Sequence, residues 1–401
     1  MAELLDLRHL PDGFYVDPYP TYHALRRADP VHRCADGSWF LTRHADLHRV
    51  YRDPRLFSSD KKQLFKPLFG DSPLYEHHTT SLVFNDPPLH THVRKAMGDA
   101  LSPRMITAME PGLRALVERL LTDLESRPEF DLIEDFASVI PVEVIGNLLR
   151  IPQADRGRLR RWAGAILGAL EFNLPAEKRE LGNTCVTEFV AYLRDLVAAR
   201  RNNLSDDADD ILSRLIRFES DGFRLSEQQL YHQCIFLLNA GHETTTNLIG
   251  NGVHGLLTHP REFARLQSDP TLIGSAVEEF LRYESPVQLG NRVATENTDI
   301  GGVNIPAGAA LTLCIGAANR DPEVYTDPDR LDVTRNPRDH LAFGGGIHTC
   351  AGLNVARIEA RIAIPALLDR FPKLRLNGTP LRDQRARFRG FLSIPVSTTT
   401  N

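Results

Sequence analysis

Apolar residues recur at helical spacing through most of the middle of the chain. From about Met105 to Arg217 they return every three or four residues, which is typical of amphipathic helices that pack on one another. Short strand-like runs occur mainly near the N-terminus and between Val287 and Ile315, where glycine and proline mark the turns. We therefore predict a mainly α-helical fold with a small β portion.

One helical segment is longer and more apolar than the others. Ser226 and Gln229 fit a capping box, which predicts a helix start, and no proline follows until Pro260. A helix of roughly 32 residues extends about 48 Å. Because the middle of this segment is apolar on most faces, we predict a central, buried helix.

Prolines predict two further helix boundaries. Asp86 precedes two prolines and an amphipathic run, so we expect it to cap a helix that has proline in its first turn. Another helical pattern begins at Leu353, and Pro365 is expected to end or kink that helix.

Composition and charge narrow the class of protein. The 401 residues are 42% hydrophobic and 25% charged, which is ordinary for a soluble globular protein. The net charge of −5 argues against nucleic acid as a main partner. There is no apolar run of roughly eighteen residues, and the first residues lack the apolar core of a signal peptide. We therefore expect a cytoplasmic protein without a membrane anchor.

The strongest candidate for chemistry is a glycine-rich loop with one cysteine, from Phe343 to Gly352. Cys350 stands just before a predicted helix N-terminus, where the partial positive charge stabilises a thiolate. A thiolate ligand to haem iron favours cleavage of the O–O bond. The alternative is a glycine turn that holds a buried free thiol. We expect that simpler environment for the other cysteines, which are Cys34, Cys185, Cys234 and Cys314.

A second candidate lies in the middle of the long helix, where residues 240–245 read Ala-Gly-His-Glu-Thr-Thr. A glycine inside a helix costs about 1 kcal/mol relative to alanine, so Gly241 suggests that a ligand approaches the backbone there. The neighbouring Glu243 and Thr244 could relay protons to bound oxygen. The alternative is an ordinary helix interior in which a threonine bonds back one turn.

Two polar pairs stand at helical spacing. Glu279 and Arg282 share a helix face and can form an ion pair. His90 and Arg94 are four residues apart and could bind a carboxylate, although a solvated basic face has the same pattern.

Together these motifs resemble the cytochrome P450 family, of the soluble bacterial kind. The haem signature Phe-x-x-Gly-x-x-x-Cys-x-Gly matches Phe343, Gly346, Cys350 and Gly352. The family's oxygen-binding and Glu-x-x-Arg motifs match the two helical segments just described, and the segment 86–94 is similar to the propionate-binding helix of bacterial members. The likeness runs from about residue 15 to residue 396.

The resemblance implies a cytochrome P450 fold in which residues 1–401 form a single haem domain. Its parts would be an N-terminal β-containing part at about 1–85, a helical core at about 86–285, and a β segment with the cysteine loop at about 286–401. The implied cofactor is haem b, iron protoporphyrin IX, with Cys350 as the proximal ligand to its iron.

The resemblance also implies roles for other side chains. Glu243 and Thr244 would serve proton delivery and cleavage of the O–O bond, and Ala240 and Gly241 would line the oxygen pocket. Phe343 and Gly344 would contact haem from the ligand loop. The propionates would be bound by four residues, which are His90, Arg94, Arg292 and His348.

Glu279 and Arg282 would have a structural role in supporting the cysteine loop. Family members often complete this pair with an arginine from a Pro-x-Arg-Phe segment. Arg330 stands at that place here, followed by leucine instead of phenylalanine.

Family architecture places a largely apolar pocket on the far side of the haem, which suits a small hydrophobic substrate. Its implied lining residues are Val83, Leu170, Asn239, Val287, Leu289 and Phe391, with Asn239 as the polar exception. A basic cluster in the expected entrance loop could favour an acidic substrate, although a solvated surface is the alternative. The cluster consists of Lys61, Lys62, Lys66, His77 and His78.

The expected activity is that of an O2-dependent haem-thiolate monooxygenase, acting as a monomer. No redox module is apparent, so electrons would come from a separate ferredoxin and ferredoxin reductase. A basic patch could dock the ferredoxin, and it would comprise Arg94, Lys95, Arg104, Arg357 and Arg361. Peroxide-driven or atypical chemistry, such as oxidative coupling, desaturation or dealkylation, is the alternative. A haem sensor or carrier without catalysis is a third possibility from a different class.

Overall fold

The computed structural model describes residues 5–203, 210–220 and 222–398, and most of these residues are helical. The predicted mainly α-helical fold with a small β portion is confirmed. The α-helices are α1 (Asp12–Val16), α2 (Tyr19–Ala28), α3 (His44–Arg52), α4 (Lys62–Phe69), α5 (Pro73–Thr80), α6 (Leu89–Ala100), α7 (Pro103–Leu124), α8 (Val139–Leu148), α9 (Gly157–Gly168), α10 (Ala176–Asn202), α11 (Ile211–Arg217), α12 (Glu227–Thr258), α13 (Pro260–Ser268), α14 (Ile273–Tyr283), α15 (Ile315–Ala318) and α16 (Leu353–Arg370).

The strands are short and form small sheets. They are β1 (Val31–Arg33), β2 (Trp39–Leu41), β3 (Phe57–Ser58), β4 (Glu129–Asp131), β5 (Glu219–Ser220), β6 (Phe223–Arg224), β7 (Leu289–Ala294), β8 (Thr298–Ile300), β9 (Val303–Ile305), β10 (Ala310–Cys314), β11 (Arg375–Leu376), β12 (Leu381–Arg382), β13 (Phe391–Ser393) and β14 (Pro395–Ser397). Five of them form a sheet in the order β1-β2-β10-β7-β3, in which only β2 and β10 are parallel.

The chain divides into two compact units. The first consists of Met1–Ser58, Glu110–Ile140 and Thr244–Asn401, and the second of Ser59–Met109 and Pro141–Glu243. The division therefore falls inside α12, between Glu243 and Thr244.

The core of the first unit lies against the five-stranded sheet. Apolar side chains of β2 and β10, such as Leu41 and Leu313, pack with Leu47 and Val50 from α3. This packing fixes α3 and the strand β7, and both elements contribute to the candidate site.

The core of the second unit is helical. Side chains from α5, α9, α10 and the first half of α12 fill it. Trp162 stacks on Phe189 at 4.5 Å between ring centroids, and Leu74 and Leu238 are fully buried.

The predicted long helix is confirmed, since α12 has 32 residues. Its capping box is present: the Ser226 hydroxyl accepts from the backbone N–H of Gln229 at 3.2 Å, and the Ser226 N–H donates to the Gln229 side chain at 2.9 Å. The local sequence was therefore sufficient to predict where this helix begins.

The predicted helix start at Asp86 is wrong, and of the two alternatives at Pro365 the end of the helix is excluded. Helix α6 begins after Pro88, and Asp86 does not cap it, because the Asp86 carboxylate accepts from the N–H of Ser59 at 2.9 Å. Helix α16 continues past Pro365 to Arg370. Beyond the proline, Leu367 and Leu368 are buried, and this burial compensates for the backbone hydrogen bond that proline lacks.

Across the described ranges, none of the helices combines the length and the apolar character needed to cross a bilayer.

Candidate haem-binding site

The cysteine loop is closed by its own backbone hydrogen bonds. The N–H of Gly344 donates to Leu341 at 2.9 Å, and the N–H of Cys350 donates to Phe343 at 2.9 Å. Gly344 and Gly346 have φ of 66° and 64°, a region that side chains disfavour. These bonds fix the position of Cys350 just before α16, whose N-cap is Gly352.

Tyr51 at the end of α3 supports this loop, and the sequence analysis did not identify it. A Cβ on Gly346 would lie 2.0 Å from the Tyr51 carbonyl oxygen, and one on Gly345 would lie 3.1 Å from the Tyr51 Cβ. The guanidinium of Arg292 lies 5.1 Å from the centroid of the Tyr51 ring. The glycines are therefore required for close packing on α3, and Tyr51 contacts both the loop and a predicted propionate partner.

Cys350 differs from the other cysteines in its exposure. All five cysteines lie among the described residues and none is in a disulfide; Cys350 is half-buried, whereas the other four are buried. Burial raises the pKa of the thiols of Cys34, Cys234 and Cys314 to about 12, so these remain protonated. The accessible thiol is the one that the loop holds in place.

The predicted ion pair of Glu279 and Arg282 is present on α14, and neither side chain is exposed to solvent. The guanidinium donates to both carboxylate oxygens, at 2.7 and 2.8 Å. It also donates to the carbonyls of Asn319 at 2.9 Å and Pro328 at 2.7 Å. Such a bidentate, fully hydrogen-bonded pair is the arrangement that makes buried charges tolerable.

The third partner of this pair is Arg335, so the assignment of Arg330 is wrong. Arg335 Nε donates to Glu279 at 3.2 Å. The Arg330 side chain is largely exposed and bonds Asp332 at 2.9 Å, and only its backbone carbonyl accepts from Arg282. Arg335, which stands five positions after Arg330, makes this contact because the connecting loop folds back onto α14.

Asn319 connects the ion pair to the cysteine loop. Its carbonyl accepts from Arg282, and its side-chain oxygen accepts from the N–H of Leu341 at 2.7 Å. The carbonyl of Leu341 in turn accepts from Gly344. A continuous series of hydrogen bonds therefore runs from the buried charges to the start of the loop.

Glu278, the neighbour of Glu279, binds two arginines of the predicted ferredoxin-docking patch, Arg357 and Arg361. Arg357 donates to it at 2.7 and 2.8 Å, Arg361 at 3.3 Å, and His340 lies at 3.1 Å. Although burial acts to raise it, hydrogen bonds from His340 and Arg357 lower the pKa of Glu278 to about 2. The charges of Arg357 and Arg361 are therefore partly compensated within the fold.

Helix α12 presents an accessible stripe at the predicted oxygen-binding motif. Ala240 is exposed and Leu237, Gly241 and Thr244 are half-buried, while the neighbouring Leu238 is buried. Positions 237, 240, 241 and 244 share one helix face. Glu243 is half-buried on the adjacent face.

Gly241 has a packing role that the sequence analysis did not foresee. A Cβ at this position would meet the Ile145 side chain of α8 at 2.6 Å. Helix α12 continues without a break through this residue. Close approach of two helices therefore requires this glycine.

Glu359 on α16 is a further polar residue that the sequence analysis missed. Its carboxyl is buried, burial raises its pKa to about 8, and a hydrogen bond with Thr245 partly opposes this shift. It therefore holds a proton at neutral pH beside the residue that follows Thr244. The signal available in the sequence was an acidic residue at position 359, within the apolar half of α16.

The remaining predicted residues are distributed over both units. In the second unit, His90 is buried and Arg94 half-buried on α6, Val83 is 37% exposed, Leu170 is half-buried and Asn239 is buried. In the first unit, His348 and Val287 are half-buried and Leu289 is buried. Phe391 is also buried. Its ring centroid lies 4.5 Å from that of His254 and 3.7 Å from the guanidinium carbon of Arg382.

The five residues considered as a basic entrance cluster do not form one basic surface. His77 and His78 are buried on α5, and burial lowers the pKa of His78 to about 3 and that of His77 well below its usual value. Lys61 is 1% exposed. Lys62 pairs with Asp60 and Lys66 with Asp71.

The residues fit a haem that is ligated by a thiolate. An accessible cysteine stands in a hydrogen-bonded loop before a helix, and Arg292 lies over the Tyr51 ring, whose residue packs on this loop. These are the features that a flat macrocycle with an axial ligand needs.

Comparison with known proteins gives the family. The model of the family described as "Cytochrome P450" matches residues 167–400. The chain belongs to the cytochrome P450 family. It is therefore a haem-dependent monooxygenase, an oxidoreductase, and the predicted family and enzyme class are confirmed.

Bacterial relatives match this P450 over most of its length. Cytochrome P450 monooxygenase PikC from Streptomyces venezuelae is 38% identical, over 94% of this chain and 89% of that protein. Vitamin D(3) 25-hydroxylase from Pseudonocardia autotrophica is 41% identical, over 90% and 88%. The crystal structure of P450BioI with an acyl carrier protein ligated by hexadec-9Z-enoic acid has a TM-score of 0.91, with 34% identity over 97% of this chain and 100% of that chain.

Two glycines of the loop can be separated by substitution. Gly344→Ala and Gly346→Ala share the cost of a positive φ, about 1–2 kcal/mol. Only Gly346→Ala brings a Cβ to 2.0 Å from a backbone atom, since the nearest atom to a Cβ at Gly344 is 3.8 Å away. We expect Gly346→Ala to lower haem content in the purified protein several-fold more than Gly344→Ala, which has the cost of a positive φ but no clash with the Tyr51 backbone. Equal haem loss in both variants would contradict the packing role of Tyr51.

The buried Glu359 predicts a pH-dependent stability. Its pKa is about 8 when folded and 4.5 ordinarily, so between these values the unfolded chain releases a proton that the folded state keeps. The free energy of unfolding therefore falls as pH rises through this range, by at most about 1.4 kcal/mol per pH unit. The free energy of unfolding of Glu359→Gln, measured in urea, should equal that of the wild type near pH 5. At pH 8 it should exceed the wild-type value by about 1 kcal/mol or more.

Glu284→Gln is the matched control. Burial opposes the charge of Glu284, but Arg389, Arg382 and Arg320 hold its pKa at about 2. This variant should lose stability by the same amount at pH 5 and pH 8. If the free energies of unfolding of the wild type and of Glu359→Gln change in parallel with pH, then Glu359 is ionised in the folded protein.

Proposed function

We propose that this P450 uses O2 to oxidise a small, largely hydrophobic organic molecule, inserting one oxygen atom, with electrons from a separate ferredoxin and its reductase. The observation that carries the proposal is Cys350, which is half-buried and held by the loop hydrogen bonds before α16. Haem b bound through this thiolate supplies oxygen activation, because the thiolate donates electron density that favours O–O cleavage.

The chain positions and orients the reaction components. The loop and its connection to the Glu279–Arg282 pair hold the sulfur atom. We assign the propionates to His90, Arg94, Arg292 and His348, which carry donors for carboxylates.

Proton delivery is assigned to Glu243 and Thr244 on α12. Both side chains are half-buried, so they are accessible to a small ligand at the helix surface. Glu359 keeps a proton at Thr245, the next residue. Ala240 and Gly241 border the same stretch, and the accessible Ala240 leaves room for a diatomic molecule.

A hydrophobic substrate is supported by the apolar side chains that keep accessible surface, which include Val83 and Val287. It is also supported by the relatives, since one is named for hydroxylation of vitamin D(3), and P450BioI was solved in complex with an acyl carrier protein that is ligated by hexadec-9Z-enoic acid. These are apolar molecules with few polar groups.

Docking of a ferredoxin would use exposed basic side chains. Lys95 and Arg104 are exposed, whereas Arg357 and Arg361 share the carboxylate of Glu278. We therefore assign the electrostatic contribution mainly to the first pair.

The carbonyl spectrum of the reduced protein tests the ligand. With Cys350 as thiolate ligand, the reduced protein with carbon monoxide should give the strongly red-shifted Soret band of a thiolate-ligated haem. Cys350→Ser should lose that band, while Cys185→Ser, at a buried cysteine, should keep it. An ordinary haem carbonyl band in the wild type would refute thiolate ligation.

Thr244→Ala separates the proposed O2-dependent reaction from the peroxide-driven alternative. If Thr244 delivers protons, the variant should consume reducing equivalents several-fold faster than it forms product and should release hydrogen peroxide. Thr258→Ala, at the far end of α12, is the control. A Thr244→Ala variant whose product and reductant consumption stay matched would contradict the proton-delivery role.

A further inference from the structure

Four polar side chains lie together in the second unit, between α5 and α12. They are His77, His78, His232 and Asn239, and we call them the His–Asn cluster. Each is at most 3% exposed. Histidine and asparagine are rarely buried as a group unless they have a function or are fully hydrogen-bonded.

The geometry of the cluster is defined by close ring contacts. The ring centroids of His77 and His78 are 5.2 Å apart, and those of His77 and His232 are 5.5 Å apart. The Asn239 amide nitrogen lies 3.3 Å from Nε2 of His77. Each of the four side chains therefore lies close to another member of the cluster.

The position of α5 relative to α12 is fixed by Gln233. Its side-chain oxygen accepts from the N–H of Leu82 at 3.2 Å, and its amide donates to the carbonyl of Thr80 at 2.7 Å. The cluster is therefore built on a braced contact between two helices.

Several polar atoms of the cluster lack a hydrogen-bond partner among the described residues. They are Nδ1 of His77, Nε2 of His78, both ring nitrogens of His232, and Oδ1 of Asn239. The nearest carboxylate, that of Glu76, is 3.9 Å from His232, beyond hydrogen-bond distance. Because native interiors pair nearly all buried polar groups, these atoms require partners outside the chain, which are either ordered water or a bound polar molecule.

The protonation of the imidazoles limits what that molecule can be. Burial lowers the pKa of His78 to about 3 and of His232 to about 4, and it lowers that of His77 well below its usual value, with smaller effects from the neighbouring histidines. A neutral imidazole offers one donor and one acceptor. A hydroxyl can donate to the unpartnered Oδ1 of Asn239 and accept from an imidazole N–H, whereas a carboxylate has no proton to donate to that oxygen.

A bound metal ion is a poorer explanation. The described part of the chain contains no group of three histidine, cysteine or acidic residues arranged to hold one. Phenylalanine rings also lie beside one member of the cluster, since the ring centroids of Phe65 and Phe84 are 5.8 and 6.0 Å from that of His78. This mixture of aromatic walls and a few fixed polar groups is typical of sites for organic ligands.

Two members of the cluster share a face of α12 with Glu243, which we assign to proton delivery. His232, Asn239 and Glu243 stand at spacings of seven and four residues, so they lie on one face of the helix. Asn239 is about 6 Å along the helix axis from Glu243. A ligand held at Asn239 is therefore within reach of the proposed oxygen-binding stretch.

We propose that the His–Asn cluster is the subsite that binds a hydroxyl group of the substrate and thereby selects neutral, hydroxyl-bearing hydrophobic molecules over acids. This inference rests on the proposed monooxygenase function and names the substrate class. The cluster orients the substrate and takes no part in the oxidation itself.

Binding of two matched probes tests the proposal. 1-Tetradecanol and tetradecanoate share one apolar chain and differ in the head group. We expect the haem-loaded wild type to bind the alcohol at least about tenfold more tightly than the acid at pH 7.5, by calorimetry and by the spin-state change of the haem, because an unmatched polar group in a buried site is strongly rejected. Equal affinities, tighter binding of the acid, or no binding of the alcohol would overturn the proposal.

Variants test whether the His–Asn cluster causes the preference for the alcohol over the acid. His77→Phe and Asn239→Leu should each reduce the preference to less than about threefold, while His48→Phe, a half-buried histidine on α3, should leave it unchanged. A preference that survives in both cluster variants would overturn the assignment. The carbonyl spectrum of the same preparations separates this failure from failure of the proposed function, since that spectrum reports Cys350 alone.

Thermal unfolding without any ligand gives a second test. If only a bound ligand supplies hydrogen-bond partners to the ring nitrogens of His232, the substitution His232→Phe should raise the unfolding temperature by about 2–4 °C. It removes buried polar atoms that are unpaired in the absence of ligand. A fall of that size would show that structural water already satisfies them, and it would overturn the subsite.

Discussion

The buried ion pair of Glu279 and Arg282 is the interaction on which the cysteine loop depends. Two charges without solvent contact are stable only when every hydrogen-bonding position is used, and here the positions are used by loop carbonyls, by Arg335 and by the N–H of Asp332. The loops therefore have to fold back onto α14 to satisfy the charges. Through Asn319 and Leu341 the same network fixes the start of the segment that carries Cys350.

Environment, not residue type, sets the protonation of the buried acids and bases. Glu284 faces three arginines and has a pKa of about 2, whereas Glu359 is buried beside the uncharged Thr245 hydroxyl and has a pKa of about 8. Burial lowers the pKa values of the three histidines of the His–Asn cluster, so they remain neutral at neutral pH. One fold therefore contains ionised carboxylates that hold loops and neutral groups that can donate or accept protons.

The glycines show how a motif can serve chemistry and packing together. Gly346 belongs to the haem signature, yet its missing side chain makes room for the backbone of Tyr51. Gly241 belongs to the oxygen-binding motif, yet its missing side chain makes room for Ile145. In both places the chain that approaches closely comes from a distant part of the sequence, so the packing requirement was not apparent from the motif.

The sequence by itself determined the features that depend on neighbouring residues. The start of α12 followed from its capping box, the Glu279–Arg282 pair from its helical spacing, and Cys350 from its glycine loop, because each rests on contacts within a few positions. Only the tertiary structure decided the roles of Tyr51, Arg335 and Glu359, the burial of Lys61, His77 and His78, and the continuation of α16 through Pro365. These depend on contacts between distant segments, which decide whether a side chain is buried and what faces it, and residue type and spacing do not carry that information.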